Sequence, residues 1–115
     1  MIVENVAGAP TSLGWVGYAY YEQNQDVIRA LPVDGGQGCV APDPQTISEG
    51  TYPIARPLFI YVNLARAAQK AALRAFVDFY LTDAGLVDSV REVGYVVAHP
   101  DDLRTTRATW ESERP

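Results

Sequence analysis

The stretch Gly50-Thr-Tyr-Pro-Ile-Ala-Arg-Pro-Leu-Phe-Ile-Tyr-Val-Asn63 decides the fold of this chain. Its first half contains Pro53 and Pro57, and each proline biases the residue before it towards extended backbone. Its second half, residues 58–62, is a continuous apolar run of the kind found in strands buried on both faces. The chain is therefore predicted to leave one structural unit through a stiff extended crossover and to enter a buried strand of the next.

The residues before this stretch predict short elements separated by turns. The glycine- and tyrosine-rich sequence at 13–24 favours a strand over 13–18 followed by one or two helical turns. A second strand is predicted over 27–33, with Pro32 placing it at a sheet edge or ending it. A flexible turn over 34–38 and a short helix over 45–49, which stops at Gly50, complete this half.

The residues after it predict mainly helices. Over 65–81 the apolar residues recur three and four apart, which indicates one amphipathic helix. We expect the apolar stripe of this helix, Phe76 included, to pack against the strand at 58–62. Further helices are predicted over 86–93 and 101–111. The whole pattern predicts an α/β fold in which short strands are packed by helices.

Composition excludes several classes of function. The 115 residues carry a net charge of −5, and basic residues are not clustered, so we expect no nucleic-acid partner. No apolar run approaches the roughly 20 residues of a membrane span. The acidic start Met1-Ile-Val-Glu lacks the positive charge that opens a secretory signal, so no signal peptide is predicted in this chain.

The sequence predicts no catalytic residue, metal site or cofactor. The single histidine, His99, lies before a predicted helix and is interpreted as a helix-entry residue. The single cysteine, Cys39, is interpreted as a small, partly buried hydrophobic residue. The loop Asp34-Gly-Gly-Gln-Gly38 follows a predicted strand, as glycine loops that bind phosphate can, but its spacing fits neither the dinucleotide-binding fingerprint nor the P-loop. A simple turn is the favoured interpretation.

Arg56 is the candidate ligand-binding residue. It lies between two prolines in a rigid segment, and its planar guanidinium could bind an anion or a carboxylate. The alternative, which we favour, is a structural ion pair at the crossing between two units. The neighbouring tyrosines could line a cleft, although aromatic core packing explains most of them.

Six stretches in the same order carry a resemblance to a known family. They are Leu13–Asn24, Val40–Ile47, Thr51–Val62, Ala75–Leu81, Val93–Tyr95 and the helix over 100–110. Together they resemble the C-terminal portion of the phosphate-binding protein of phosphate ABC importers. That family is of the periplasmic-binding-protein type, with two α/β lobes that close on phosphate about a hinge.

The resemblance implies a division of the chain. Residues 1–50 would form the end of the second lobe, and residues 58–115 the C-terminal part of the first lobe. Residues 51–57 would be the crossover, with Tyr52, Pro53 and Pro57 as its hinge. A single compact unit is the alternative.

The resemblance also implies a function for the full-length protein. Inorganic phosphate would be its ligand and an ABC transporter permease its partner, at a periplasmic or extracellular location, with a lipid anchor as one option. The phosphate ligands of the family lie upstream of this region, so none is carried over. The alternative is a truncated, self-associating domain without phosphate binding. We expect a homodimer, because each partial lobe would lack some of the strands and helices that normally pack on it, which would leave apolar surface and strand edges exposed.

Overall fold

The computed structural model describes all 115 residues, which form short helices and one β-hairpin. The first half contains α1 (Ile2–Ala7), α2 (Tyr18–Glu22), β1 (Val33–Asp34), β2 (Cys39–Val40) and α3 (Pro44–Ser48). The second half contains α4 (Leu64–Gln69), α5 (Ala71–Tyr80), a π-helical segment (Ala84–Ser89), α6 (Val90–Glu92) and α7 (Pro100–Glu113). The strands β1 and β2 pair antiparallel, with Val33 opposite Val40.

Local capping fixes α3 where the sequence predicts it. Asp43 and Thr46 form a reciprocal capping box: the Asp43 carboxylate accepts from the Thr46 amide at 2.8 Å, and the Thr46 hydroxyl accepts from the Asp43 amide at 3.0 Å. Pro44 occupies the first turn, where its missing N–H costs nothing. After the helix, Gly50 adopts a φ of +70°, which suits glycine, so the predicted stop is confirmed.

The three longer strands predicted from the sequence do not form. Residues 13–17 are irregular and lead into α2, and of 27–33 only Val33 enters a strand. Residues 58–62 have no strand partner, and the side chains at 58–61 are exposed. A strand needs a neighbour to accept its backbone hydrogen bonds, and this chain places none beside these segments.

The predicted helix over 65–81 is broken in two at Lys70. Lys70 is extended, with φ −123° and ψ 99°, so it ends α4 and begins α5. The Arg74 guanidinium donates to the carbonyl oxygens of Ala67 and Ala68, each at 3.1 Å, and satisfies groups that the break leaves open. The bend lets both helices contribute to one core, which a straight helix could not do.

That core is small and lies in the second half of the chain. It contains Ala67, Val77, Leu81 and Trp110, with Val62, Leu73, Tyr80 and Leu86 packed against it. Phe76, which the helical period predicts to be buried, is 62% exposed. Of the predicted stripe, Val77 is buried and Leu73 and Tyr80 pack against the core, whereas the prediction for Phe76 was wrong because its ring is turned away from that core.

Gly85, the second residue of the π-helical segment, lies at a close backbone contact. A Cβ at this position would lie 2.7 Å from the Phe79 carbonyl oxygen and closer still to that of Tyr80. Only glycine allows the chain to turn this tightly out of α5. The segment then continues into α6, so the predicted helix over 86–93 is present in a wider-turned form.

The chain as a whole is extended. Its radius of gyration is 17.6 Å, whereas a compact domain of this length has about 13 Å. Its principal extents are 54 × 33 × 22 Å. The elements make few contacts with elements distant in sequence, so much apolar surface is left uncovered.

Candidate functional site

The predicted hinge residues occupy the segment that follows α3 and leads to the second half of the chain. The Tyr52 amide donates to the Thr46 carbonyl at 2.9 Å, and the Tyr52 hydroxyl donates to the Leu31 carbonyl at 3.4 Å. The Pro53 ring lies against Gly35, where an added Cβ would be 2.8 Å from Pro53 Cγ. The start of the crossover is therefore anchored to the first half of the chain.

The crossover is less extended than its two prolines predict. The Ala55 amide donates to the Tyr52 carbonyl at 3.0 Å, which closes a turn over 52–55. Residues 56–63, after this turn, form no regular secondary structure, and Pro57 is exposed. A proline disfavours helical backbone only in the residue before it, which here means Tyr52 and Arg56. A turn that begins at Tyr52 is compatible with both restrictions.

Arg56 extends into solvent. Its side chain is exposed and forms neither a hydrogen bond nor a salt bridge within the chain. The structure therefore brings Tyr52 and Pro53 together with Leu31 and Gly35 but does not include Arg56 in that contact. Any ion pair or anion contact of Arg56 has to come from outside these 115 residues.

The glycine-rich loop between β1 and β2 is not an open anion cradle. Asp34 Oδ1 accepts hydrogen bonds from the amides of Gly36 at 2.7 Å and Gly38 at 3.0 Å. These are the donors that a phosphate oxygen would use in a backbone nest. Because a carboxylate of the chain already occupies them, the loop is a self-closed turn, as the sequence favours.

A groove of about 410 Å³ lies between the end of α5 and α7. Its two arginines are both compensated: Arg107 pairs with Asp83 at 2.6 Å, and Arg114 pairs with Asp78 at 2.8 Å. Arg107 also donates through Nε to the Leu81 carbonyl at 2.7 Å. These contacts join α7 to the end of α5, and they leave no uncompensated cation for an anionic ligand.

The remaining polar candidates have structural roles. His99 accepts a hydrogen bond from the Asp101 amide through Nδ1 at 3.3 Å and caps α7, as its place before Pro100 predicts. Cys39 is exposed, so its expected partial burial was wrong; the two-residue strand β2 has no layer packed over that face. No cluster of three or more acidic, histidine or cysteine residues is arranged to hold a metal ion.

Two phenols have shifted acidities. Burial raises the pKa of Tyr18, with a smaller contribution from nearby Glu22, and burial also raises the pKa of Tyr52. Both shifts follow from the cost of placing a phenolate in a less solvated environment. Burial is the main cause of both pKa shifts, so they reflect the packing of the two phenols.

Sequence reasoning missed the contact of Trp110 with Asp78. Trp110 is the single large apolar residue of an otherwise polar helix end, and that isolation was the available signal. Its indole N–H donates to Asp78 Oδ1 at 2.7 Å across 32 residues. The pair fixes α7 against α5 and is structural.

The comparisons with known proteins point to one group of relatives. The chain is 43% identical over 97 residues to the protein SphX of Synechocystis, which covers 84% of this chain and 28% of SphX. It is 33% identical over 109 residues to the phosphate-binding protein PstS of Staphylococcus haemolyticus, which covers 90% of this chain and 34% of that protein. The chain is a relative of the PstS phosphate-binding proteins.

A solved structure agrees with this assignment. The crystal structure of a possible phosphate binding protein from Planctomyces limnophilus superposes with a TM-score of 0.73 at 31% identity, over 96% of this chain and 39% of that one. The resemblance and the fold class, a partial periplasmic-binding-protein-like fold, are thus confirmed. No model of a known protein family matches the chain.

The similarity concerns only a part of each relative. The chain spans about a third of the length of the curated PstS relatives it matches. None of its helices has both the length and the apolar character needed to cross a bilayer.

Proposed function

We propose that this chain is a structural part of a phosphate-binding protein of an ABC importer, and that phosphate capture requires the remainder of such a protein. The observation that carries the proposal is the 33% identity to a PstS phosphate-binding protein over 90% of the chain. The resemblance supports a C-terminal position in that protein, a location outside the cytoplasmic membrane and a permease as partner. The role is ligand binding rather than catalysis.

Within this proposal the chain has a structural role and does not itself supply the groups that bind phosphate. A dehydrated anion needs several aimed donors to offset its lost hydration. The glycine loop uses its amides on Asp34, and Arg107 and Arg114 are paired with carboxylates. The net charge of −5 adds long-range repulsion.

Within this proposal, residues 1–50 and 58–115 belong to two lobes, and 51–57 is the hinge between them. The contacts of Tyr52 with Leu31 and of Pro53 with Gly35 support a hinge whose first half moves with residues 1–50. The exposed stretch from Arg56 onward would then be the part that changes direction when the lobes close.

A chimera tests the proposal directly. The region of Staphylococcus haemolyticus PstS that matches this chain is replaced by the corresponding region of this chain. Calorimetry should detect phosphate binding by the chimera. The isolated chain should show no phosphate binding with a sub-micromolar dissociation constant. A folded chimera without phosphate binding would favour the alternative, a self-associating domain that does not bind phosphate.

The role of Arg56, either an anion contact or a structural ion pair, can be tested in the same chimera. Replacing Arg56 by Gln removes the charge and the planar fork. A loss of phosphate affinity at unchanged stability would support an anion contact. A loss of stability at unchanged affinity would support the ion pair at the lobe crossing, which we favour.

A further inference from the structure

Asp34 and Gly35 form the only Asp-Gly pair in the chain, and both residues are exposed. In such a pair the glycine amide nitrogen can attack Cγ of the aspartate side chain and close a succinimide ring. Glycine permits this closure most easily, since no Cβ obstructs the nitrogen or restricts its backbone. The reaction needs an accessible Gly35 amide and stabilisation of the negative charge that develops on the Asp34 side chain.

The Gly35 amide is available for this attack. It donates no hydrogen bond within the chain, whereas the amides of Gly36 and Gly38 in the same loop both do. Gly35 is exposed to solvent, so water can take up the proton that the nitrogen must lose. The nucleophile of the ring closure is therefore not engaged in another contact.

The Asp34 side chain is held in an arrangement that resembles an oxyanion hole. Its Oδ1 accepts from the Gly36 amide at 2.7 Å and from the Gly38 amide at 3.0 Å, and Oδ2 accepts no hydrogen bond within the chain. In the carboxylate the negative charge is shared by both oxygens, whereas in the tetrahedral intermediate of an attack on Cγ it lies on Oδ1. Two donors aimed at Oδ1 therefore stabilise the intermediate more than the ground state.

The two donors depend on glycine at their own positions. Gly36 has a φ of +102° and Gly38 a φ of +100°, a backbone conformation that residues with a Cβ rarely adopt. In this conformation both amides point at Asp34 Oδ1. The glycine-rich sequence thus supplies the nucleophile at Gly35 and the two donors that follow it.

We propose that Asp34 is a site of spontaneous isomerisation to isoaspartate, and that the folded loop accelerates the reaction. The Gly35 nitrogen loses its proton and forms a bond to Asp34 Cγ, and Oδ2 leaves as water with that proton and one from solvent. Water then adds to the main-chain carbonyl carbon of Asp34 in the succinimide, and the bond from this carbon to the Gly35 nitrogen breaks. The new carboxyl group returns a proton to solvent, so the product has the same atoms and charge as the starting chain.

Isomerisation changes the loop where it contacts the crossover. In isoaspartate the main chain runs through Cβ and Cγ of residue 34, so it is longer by one methylene group before Gly35. Gly35 lies against the Pro53 ring, where an added Cβ would be 2.8 Å from Pro53 Cγ. The modification therefore falls on one of the contacts that anchor the crossover to the first half of the chain.

A comparison of the folded and the denatured chain tests the proposal. The full chain is incubated at neutral pH in buffer and in guanidinium chloride, and peptide mapping by mass spectrometry measures isoaspartate over time. Isoaspartate at residue 34 should form at least about tenfold faster in buffer, because only the folded loop aims its amides at Oδ1. Asp88, exposed and followed by Ser89 in the π-helical segment, is the internal control and should not react faster in buffer. An equal or slower rate at Asp34 in buffer, or equal acceleration of both sites, would overturn the proposal.

A pair of substitutions tests the two donors. Gly38→Ala places a Cβ on a residue with φ +100°, so it displaces the Gly38 amide while the Asp34-Gly35 pair stays intact. Gly50→Ala is the matched control, with a φ of +70° outside the loop. Gly38→Ala should slow isomerisation in buffer about tenfold, as the loss of an oxyanion donor does, and Gly50→Ala should leave the rate unchanged. A wild-type rate in Gly38→Ala, or equal slowing in both variants, would overturn the proposal.

Discussion

Trp110 donates its indole N–H to Asp78 across 32 residues, at 2.7 Å, and this contact holds the last helix of the chain in place. The second oxygen of the same carboxylate accepts from Arg114 at 2.8 Å. Asp78 therefore binds both the last turn of α7 and the residue that follows the helix. In a chain with so small a core, one carboxylate joins two of its longest helices.

Removing the Asp78 carboxylate should destabilise the chain. In Asp78→Ala the largely buried indole N–H loses its acceptor, and an unsatisfied buried donor costs about 1–3 kcal/mol. The control is Asp88→Ala, the same change at an exposed aspartate that forms no hydrogen bond or ion pair. Urea unfolding compares the two, and equal losses would show that the Trp110 contact contributes nothing.

The two faces of α5 should respond differently to truncation in the isolated chain. Leu81, at the end of the buried face, is 7% exposed, and Leu81→Ala should cost about 2–5 kcal/mol by leaving a cavity. Phe76→Ala should cost less than about 1 kcal/mol, because the ring is exposed. Thermal or urea unfolding measures both. A larger loss for Phe76 would mean that the ring is covered in solution.

Gly85 should not tolerate a side chain. In Gly85→Ala the new Cβ meets backbone carbonyl oxygens of Tyr80 and Phe79, which cannot move aside as a flexible side chain can. We expect a loss of about 1–3 kcal/mol. Gly17→Ala is the matched control, since its nearest contact would be 3.8 Å and its φ of −65° suits alanine. Unfolding of Gly85→Ala at the wild-type urea midpoint would contradict the close contact.

Stability should fall in alkaline solution because of Tyr18 and Tyr52. Both folded-state pKa values are raised by burial, so the contribution of each phenol is fully present below the unfolded pKa of about 10 and is lost as the pH rises through the folded value. Ionised Tyr52 also loses its donor to the Leu31 carbonyl. Urea midpoints across this range, for the wild type and for Tyr52→Phe, measure the effect.

Tyr52→Phe should be slightly less stable than the wild type near neutral pH and should lose less stability on alkalinisation. The loss of stability near neutral pH reflects the missing hydrogen bond to the Leu31 carbonyl. The smaller loss at alkaline pH follows because phenylalanine has no hydroxyl group that can ionise. Parallel pH profiles for the two proteins would show that Tyr52 ionises equally in the folded and unfolded chains.

The sequence by itself determined those elements whose stabilising groups lie within a few residues. The capping box of Asp43 and Thr46 starts α3, Gly50 ends the turn that follows, and His99 with Pro100 starts α7. The self-closed loop after Asp34 belongs to the same class. These hydrogen bonds close short loops, so the residues that make them are visible side by side in the sequence.

The tertiary structure alone decided the break at Lys70, the orientation of α5 and the state of residues 58–62. Gln69, Lys70 and Ala71 are good helix formers, and only the packing of Ala67 against the core, with Arg74 binding the open carbonyls, makes the bend favourable. An apolar run predicts a buried strand, but burial and pairing depend on partners distant in sequence. Such partners are absent from this chain, which is why a correct family assignment accompanied wrong strand predictions.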